Sequence, residues 1–526
     1  MSSEDIELHT AESENSINRE SVESVKTRIP LLRYALMLFS ASMFAFIAGY
    51  DFSAPALALP VVGIRFSKLS TVNWVVVAYM IPFATLLPSI KKLAAVSGHR
   101  TCVAVFAILH IAGSVMSGVA QGMPLLLAGR VIAGLGAAGT AMAPLIAIES
   151  SGSSSQRILG LWAFLAVWLM GSVVGLIAGG CLATWDSWRW VFYFDIPFLG
   201  AAAIVGVLAM RVPAHQGSKM QVLKNINALG TIFAAGSVLT LALALNFGGN
   251  LFKWSSGVVI TLLVLSVFLF LVLIFIEAKM TPEPLLPSSM FKTRTSMALL
   301  AIQPFVGIAT FVPMVYLILW YDAVKSLSSD AIGARMLSLG LSVLVAALIA
   351  EFVVSIFKRS RPLVRLSTPF MTLGCGLLII LQENTNRNLP VAFMILLGVG
   401  VGLSIQPHFI MIHGASGAES MASVVASVLM LRIFGAAVGI ALCNAVLQNN
   451  LSTKLASVVL EHPLYTQYII MSVDNSDIMR LSSVPQSVSA AVAKANAEGF
   501  RSTFIVSLAF AAVTIPLLIF IGRRKA

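Results

Sequence analysis

Fourteen apolar runs set the terms for this 526-residue chain, at about 33–60, 72–92, 101–121, 124–148, 158–181, 188–210, 228–247, 256–277, 295–320, 331–357, 363–381, 390–412, 422–447 and 502–522. Each is about 19–28 residues long, and about 20 apolar residues carry a helix across the hydrocarbon of a bilayer. A chain crossing lipid must satisfy its own backbone hydrogen bonds, so such runs are helices. The sequence predicts an all-α membrane protein with about 14 transmembrane helices. Its composition, 58% hydrophobic and 11% charged, excludes a soluble domain, where about a quarter of residues are charged. The net charge of +12 would point to nucleic acid or anionic lipid on a soluble protein; here its distribution matters more. With the N-terminus in the cytosol, Lys91, Lys92, Arg100, Lys358, Arg359, Arg361, Arg365, Arg523, Arg524 and Lys525 all fall on the cytosolic side, as the positive-inside rule requires. An even number of crossings puts both termini there. The expected surroundings are a lipid bilayer, with no nucleic acid partner.

The polar, acidic segment 1–32 has no basic start and no cleavage pattern, so it reads as a disordered cytosolic tail and not as a signal peptide. A faint repeat organises the rest. Gly171, Gly175 and Gly179 in the fifth run are echoed by Gly435 and Gly439 in the thirteenth. Gly134 and Gly136 ahead of Pro144 in the fourth are echoed by Gly398, Gly400 and Gly402 ahead of Pro407 in the twelfth. This offset of eight divides the chain into an N-terminal six-helix half at 33–210, an inserted two-helix segment with flanking loops at 211–294, and a C-terminal six-helix half at 295–526. The last half carries a long non-cytosolic loop at 449–501. Carriers with such repeats bind their solute between the halves.

The chemistry centres on the fourth run. Gly129, Ala133, Ala137 and Ala141 recur at every fourth residue, a stripe that lets another helix approach closely. Beside it stands Arg130. An arginine within a spanning helix costs roughly 2.5–3.5 kcal/mol or more, so it should face a partner or a wet cavity. Asp51 in the first run is the acidic residue similarly placed. Arg130 keeps its charge at any relevant pH, whereas Asp51 can take and release a proton. Glu351, His408, Arg335 and Arg432 are candidates to line a cavity in the second half. Asn450-Leu451-Ser452 matches a glycosylation pattern close to a membrane end. Gly134 to Gly139 satisfies G-x-G-x-x-G but follows no strand, so dinucleotide binding is rejected. There is no Walker sequence. Cys102, Cys181, Cys375 and Cys443 lie in or beside apolar runs and imply no disulfide framework or metal site. No catalytic residue, enzyme activity or cofactor is expected.

These residues resemble the major facilitator superfamily, in particular the fourteen-helix drug:proton antiporters of fungi, over nearly everything from about Leu32 to Leu518. Asp51 to Pro60 is similar to the family's first-helix signature L-D-x-T-I-V-n-x-A-L-P, and Trp74 and Tyr79 match its W-v-v-x-a-Y. Arg130 with Gly134 and Gly136 resembles the proton-coupling motif. Gly171, Gly175, Gly179 and Gly180 match most of the antiporter signature. Trp188-Arg189-Trp190 with Phe192 and Pro197 looks like W-R-W-x-F-y-x-N-x-P. Gly248-Gly249-Asn250 with Trp254, and Glu283 to Pro287 with Phe291, are similar to fungal members. Four positions depart. In the loop motif G-x-L-x-D-x-x-G-R-[RK], Lys91 stands for Gly and Ala95 for the Asp that anchors a cytosolic gate. Leu176 replaces the signature's Pro, and Asp195 replaces the usual Asn.

The resemblance implies the major facilitator fold, with Asp51 and Arg130 coupling protons to transport and the glycines packing helices. It implies a monomer that exports small organic compounds (drugs, toxins or secondary metabolites) across a fungal membrane, the plasma membrane first and the vacuolar membrane second. A vacuolar carrier of basic amino acids shares most of these motifs. Ala95 and Leu176 motivate a third reading, a membrane receptor or decayed carrier that transports nothing.

Overall fold

Prolines, capping side chains and glycine contacts set where each helix starts, bends and packs. The computed structural model describes residues 30–151, 153–184, 188–210, 227–280, 284–417 and 420–521. Within them fourteen helices are long and apolar enough to span. They are α1 Leu31–Leu57, α2 Leu69–Ser97, α3 His99–Gly118, α4 Met123–Ser150, α5 Ser155–Ala183, α6 Trp190–Ala209 and α7 Ala228–Phe247. Then follow α8 Gly257–Met280, α9 Arg294–Lys325, α10 Ser329–Phe357, α11 Arg361–Ile380, α12 Leu389–Ser416, α13 Met421–Glu461 and α14 Gln486–Phe520. The acidic tail before Pro30, the basic residues Arg211, Lys219 and Lys224, the motif residue Glu283 and the closing Arg523-Arg524-Lys525 lie outside the described residues.

Local chemistry fixes several boundaries. Thr293 caps α9 by accepting from Ser296 N at 3.2 Å, and Ser420 caps α13 by accepting from Ser423 N at 3.3 Å. In α2 a tight turn at Leu87–Ser89 interrupts the helix where Pro88 removes a backbone donor.

Glycines decide which helices touch. A Cβ on Gly171 would overlap Phe46 O, one on Gly175 would overlap Ser53 Oγ, and one on Gly179 would press on Ala54, so α5 lies directly against α1. Eight helices later, a Cβ on Gly307 would overlap Arg432 O and one on Gly435 would overlap Pro304 O, so α13 lies against α9 in the same way. Gly136 meets the His110 backbone between α4 and α3; Gly400 meets the Met371 backbone between α12 and α11. Both members of the sequence echo thus serve equivalent contacts. α7 packs against α2 and α13, and α8 packs against α7. The outer face of α8, with Val264, Phe268, Leu271 and Phe275, is exposed, as lipid contact demands.

The expected long loop at 449–501 is mostly helix. α13 runs on to Glu461 and α14 starts at Gln486. At 1.5 Å per residue a 41-residue helix is roughly 60 Å long, about twice the hydrocarbon thickness. The extensions pair through Leu451, Leu455 and Val458 against Val488, Val492 and Ala495. They are apolar on one face only, so they do not stand out as apolar runs. The connection between them forms a roof. Asp474 accepts from Ser70 Oγ at 2.7 Å, while Arg480 and Ser476 donate to Asp322 at 3.0 and 2.8 Å. Asn450 is an exposed residue within α13, not in a loop.

Candidate functional site

Asp51 and Arg130 meet. Arg130 Nη1 donates to Asp51 Oδ1 at 3.1 Å, Nη2 to the Asp51 carbonyl at 3.3 Å and Nε to the Val75 carbonyl at 3.2 Å. The carbonyl contact has a sequence cause. Pro55 lies four residues after Asp51 and has no N–H, so the Asp51 carbonyl lacks its helical donor. The guanidinium supplies one. Its other face lies 4.2 Å over the Tyr79 ring, a cation–π contact. Gly134 lets α4 approach the Tyr79 carbonyl, which brings α2 within reach. Arg130 and Asp51 are both buried.

Two further residues complete the cluster, and neither was singled out from the sequence as a site. His110 Nε2 on α3 is 2.8 Å from Asp51 Oδ2 and 3.9 Å from Asp195 Oδ2 on α6. Ser114 donates to Asp195 Oδ2 at 2.7 Å. Both are ionisable groups inside apolar runs, the same signal that marked Asp51. Asp195 registered only as a departure from a motif.

A cavity of about 140 Å³ is walled by residues of α1, α5, α9, α10, α12 and α13. Its wall includes Phe52 and Ser53 of α1, Trp168 of α5, Phe311 of α9, Phe409 of α12 and Arg432 of α13. It is overwhelmingly apolar. Arg432 donates to Gln303 Oε1 at 3.2 and 2.8 Å, and Gln303 Nε2 is 3.1 Å from His408 Nδ1. Among the described residues no carboxylate pairs with Arg432. Of the four residues expected to line a cavity, Arg432 alone lies in this wall. His408 is buried behind it. Arg335 bonds to its own helix at Ala331 O, 2.8 Å, and Glu351 is half-buried. Those two stand near opposite ends of α10, so neither reaches the mid-membrane wall.

Contacts tie the helices together at both ends of the cavity. At the end bearing the termini, Glu149 closes α4 onto α13. Its carboxylate accepts from Ser420 Oγ and from Met421 N, each at 2.6 Å, an anion on a helix N-terminus. Lys91 Nζ reaches Ser423 Oγ at 3.4 Å. Glu149 thus supplies an anionic latch at this end, where Ala95 cannot. At the other end Asn73 donates to Asn444 Oδ1 at 3.0 Å and to the Tyr316 hydroxyl at 3.1 Å. There Gly180 abuts Ser329 O, and Gly333 abuts Leu176 O. Leu176, in place of the signature proline, is buried and its side chain packs on Gly340. α5 runs straight through this contact.

Removing the latch should loosen that end. Glu149→Ala deletes contacts worth about 1–2 kcal/mol, a factor of about 5–30 in population. We expect Leu429→Cys, in a background lacking the four native cysteines, to react correspondingly faster with an impermeant maleimide applied from that side. An unchanged rate would contradict the latch.

The description Major Facilitator Superfamily matches residues 41–220. "Efflux pump aflT" of Aspergillus parasiticus is 25% identical over 441 residues, covering 83% of this chain and 85% of that protein. "Acurin A biosynthesis cluster MFS-type transporter" of Aspergillus aculeatus is 27% identical over 436 residues, covering 82% and 78%. The crystal structure of a bacterial homolog of the human lysosomal transporter Spinster, inward-facing and unoccupied, superposes with a TM-score of 0.59 at 12% identity, covering 95% of this chain and all of that one.

Proposed function

We propose that this chain, similar over residues 41–220 to the major facilitator superfamily, is a member of that superfamily and a proton-driven carrier exporting small organic compounds from a fungal cell. One adjacency carries the reading. Phe52 and Ser53, which follow Asp51 in α1, are part of the cavity wall. A solute that shifts this stretch of α1 disturbs the Asp51–Arg130 pair directly. Separating the pair leaves a buried carboxylate without its guanidinium, which is strongly unfavourable; taking a proton relieves it. Solute occupancy and proton occupancy are then linked states of one element. The names of the relatives support export.

The cavity is smaller than the roughly 300–1,000 Å³ of drug-sized sites, so this is an occluded state whose halves must part to admit a solute. The aromatic wall favours apolar compounds. Arg432, without a carboxylate, favours neutral or anionic ones and disfavours the basic amino acids of the alternative carrier. Glu149 and the packed Leu176 answer the departures that motivated a decayed carrier. The carrier works as a monomer in the plasma membrane with both termini cytosolic.

Vesicles containing purified protein, an imposed pH gradient and a panel of neutral, anionic and cationic dyes test this. Neutral or anionic dyes should accumulate against their gradient. Arg432→Gln should shift relative transport from anionic toward cationic dyes by about tenfold or more, since facing like charges cost several kcal/mol. An unchanged order would mean that Arg432 does not face the solute.

A further inference from the structure

We propose that His110 and Asp195 form a second proton-binding site, storing one proton behind the Asp51–Arg130 pair and passing it to Asp51. This rests on the proton-coupled reading above and deepens it. The charged and titratable groups facing the cluster are Tyr50 and Asp51 on α1, Tyr79 on α2, His110 on α3, Arg130 on α4 and Asp195 on α6.

Charge accounting comes first. Arg130 balances Asp51. Asp195, buried with Oδ1 lacking any hydrogen-bond partner, is then a second carboxylate without a cation unless a proton resides on it or on His110. An uncompensated charge at this depth is strongly unfavourable, so the proton stays. A metal cation in the same space would meet the Arg130 charge.

The geometry provides the path. Both carboxylates address one ring nitrogen, His110 Nε2, at 2.8 and 3.9 Å. The other nitrogen, Nδ1, faces Thr140 Oγ1 at 3.5 Å, whose own proton is given to Ala137 O at 3.1 Å. Thr140 can therefore accept from Nδ1–H and hold the ring still. Gly136, with no Cβ, lets α4 meet the His110 backbone and fixes where the ring stands. While Arg130 holds Asp51, the proton remains on the His110–Asp195 pair. When Arg130 withdraws, a proton held as imidazolium passes from Nε2 to Asp51 Oδ2, and a proton held on the Asp195 carboxyl first moves to the bare Nε2 and then on to Asp51 Oδ2. One proton moves forward, and no other bond forms or breaks. The carboxylate nearest the cavity wall is thus recharged from inside the protein.

Infrared difference spectroscopy of purified protein at neutral pH, wild type minus Asp195→Asn, tests the site without solute or gradient. With isotope-labelled histidine it reads both possible carriers: the C=O stretch of a protonated carboxyl and the ring bands of an imidazolium. The expected result is loss of one of them in Asp195→Asn. Its retention in Ser114→Ala, which keeps both proton-binding side chains, is expected too. If Asp195→Asn removes carboxylate bands only and leaves the imidazole unchanged, the second site is overturned. Loss of the band in a protein whose dye transport ignores pH gradients would support storage and overturn the coupling reading instead.

Discussion

Asp51→Asn should abolish dye accumulation driven by a pH gradient while leaving dye exchange at equal concentrations largely intact. The substitution keeps the size of the side chain and its ability to accept from Arg130 Nη1, but removes the charge and the proton. Exchange needs the halves to alternate, which the neutral amide permits. Accumulation needs an obligatory change of proton occupancy, which it does not. Breaking one side of a buried ion pair also costs about 3–5 kcal/mol, so the variant should melt at a lower temperature. Arg130→Lys should be nearly as damaging. The guanidinium reaches two atoms of Asp51 and the Val75 carbonyl at once, and an ammonium cannot reproduce that planar fork. Accumulation by Asp51→Asn at the wild-type rate and with unchanged pH dependence would place the coupling site elsewhere.

The second large effect is structural. Gly175→Leu should greatly reduce the folded protein recovered from membranes, whereas Gly257→Leu should not. A Cβ alone on Gly175 would overlap Ser53 Oγ and lie 2.9 Å from Tyr50 O; a Cβ on Gly257 meets nothing within 4 Å. Overpacking usually costs about 1–3 kcal/mol where side chains can yield. At Gly175 the obstruction includes the backbone of α1, which cannot yield without moving Asp51. Fluorescence-detected size exclusion of tagged variants, before and after heating, reads the difference. Equal recovery and equal melting would show that α1 and α5 are not held in close contact.

Much of this was legible because lipid imposes simple rules. Spans declare themselves by length and apolarity, and ionisable residues within them are conspicuous, which singled out Asp51 and Arg130 before any coordinates. The same rule applied evenly would have raised His110 and Asp195. What the sequence hid has physical causes. The extensions of α13 and α14 bury a stripe against each other and keep polar outer faces, so no window of uniform apolarity marks them. Glu149 sits at a helix end, where a charge is ordinary, and its role appears only when Ser420, 271 residues away, is folded against it. Arg335 and Glu351 showed the converse: an ionisable residue in a span can stand near its end, away from the mid-membrane wall.

The most direct test of the central claim uses wild-type protein in vesicles that trap a pH indicator, with no pH gradient imposed. An inward or outward gradient of a transported dye is applied, and internal pH is followed. Proton-coupled exchange predicts that dye flowing down its gradient drives protons the other way, producing a pH change that Asp51→Asn abolishes. Dye flux at full rate with no accompanying proton movement would contradict it.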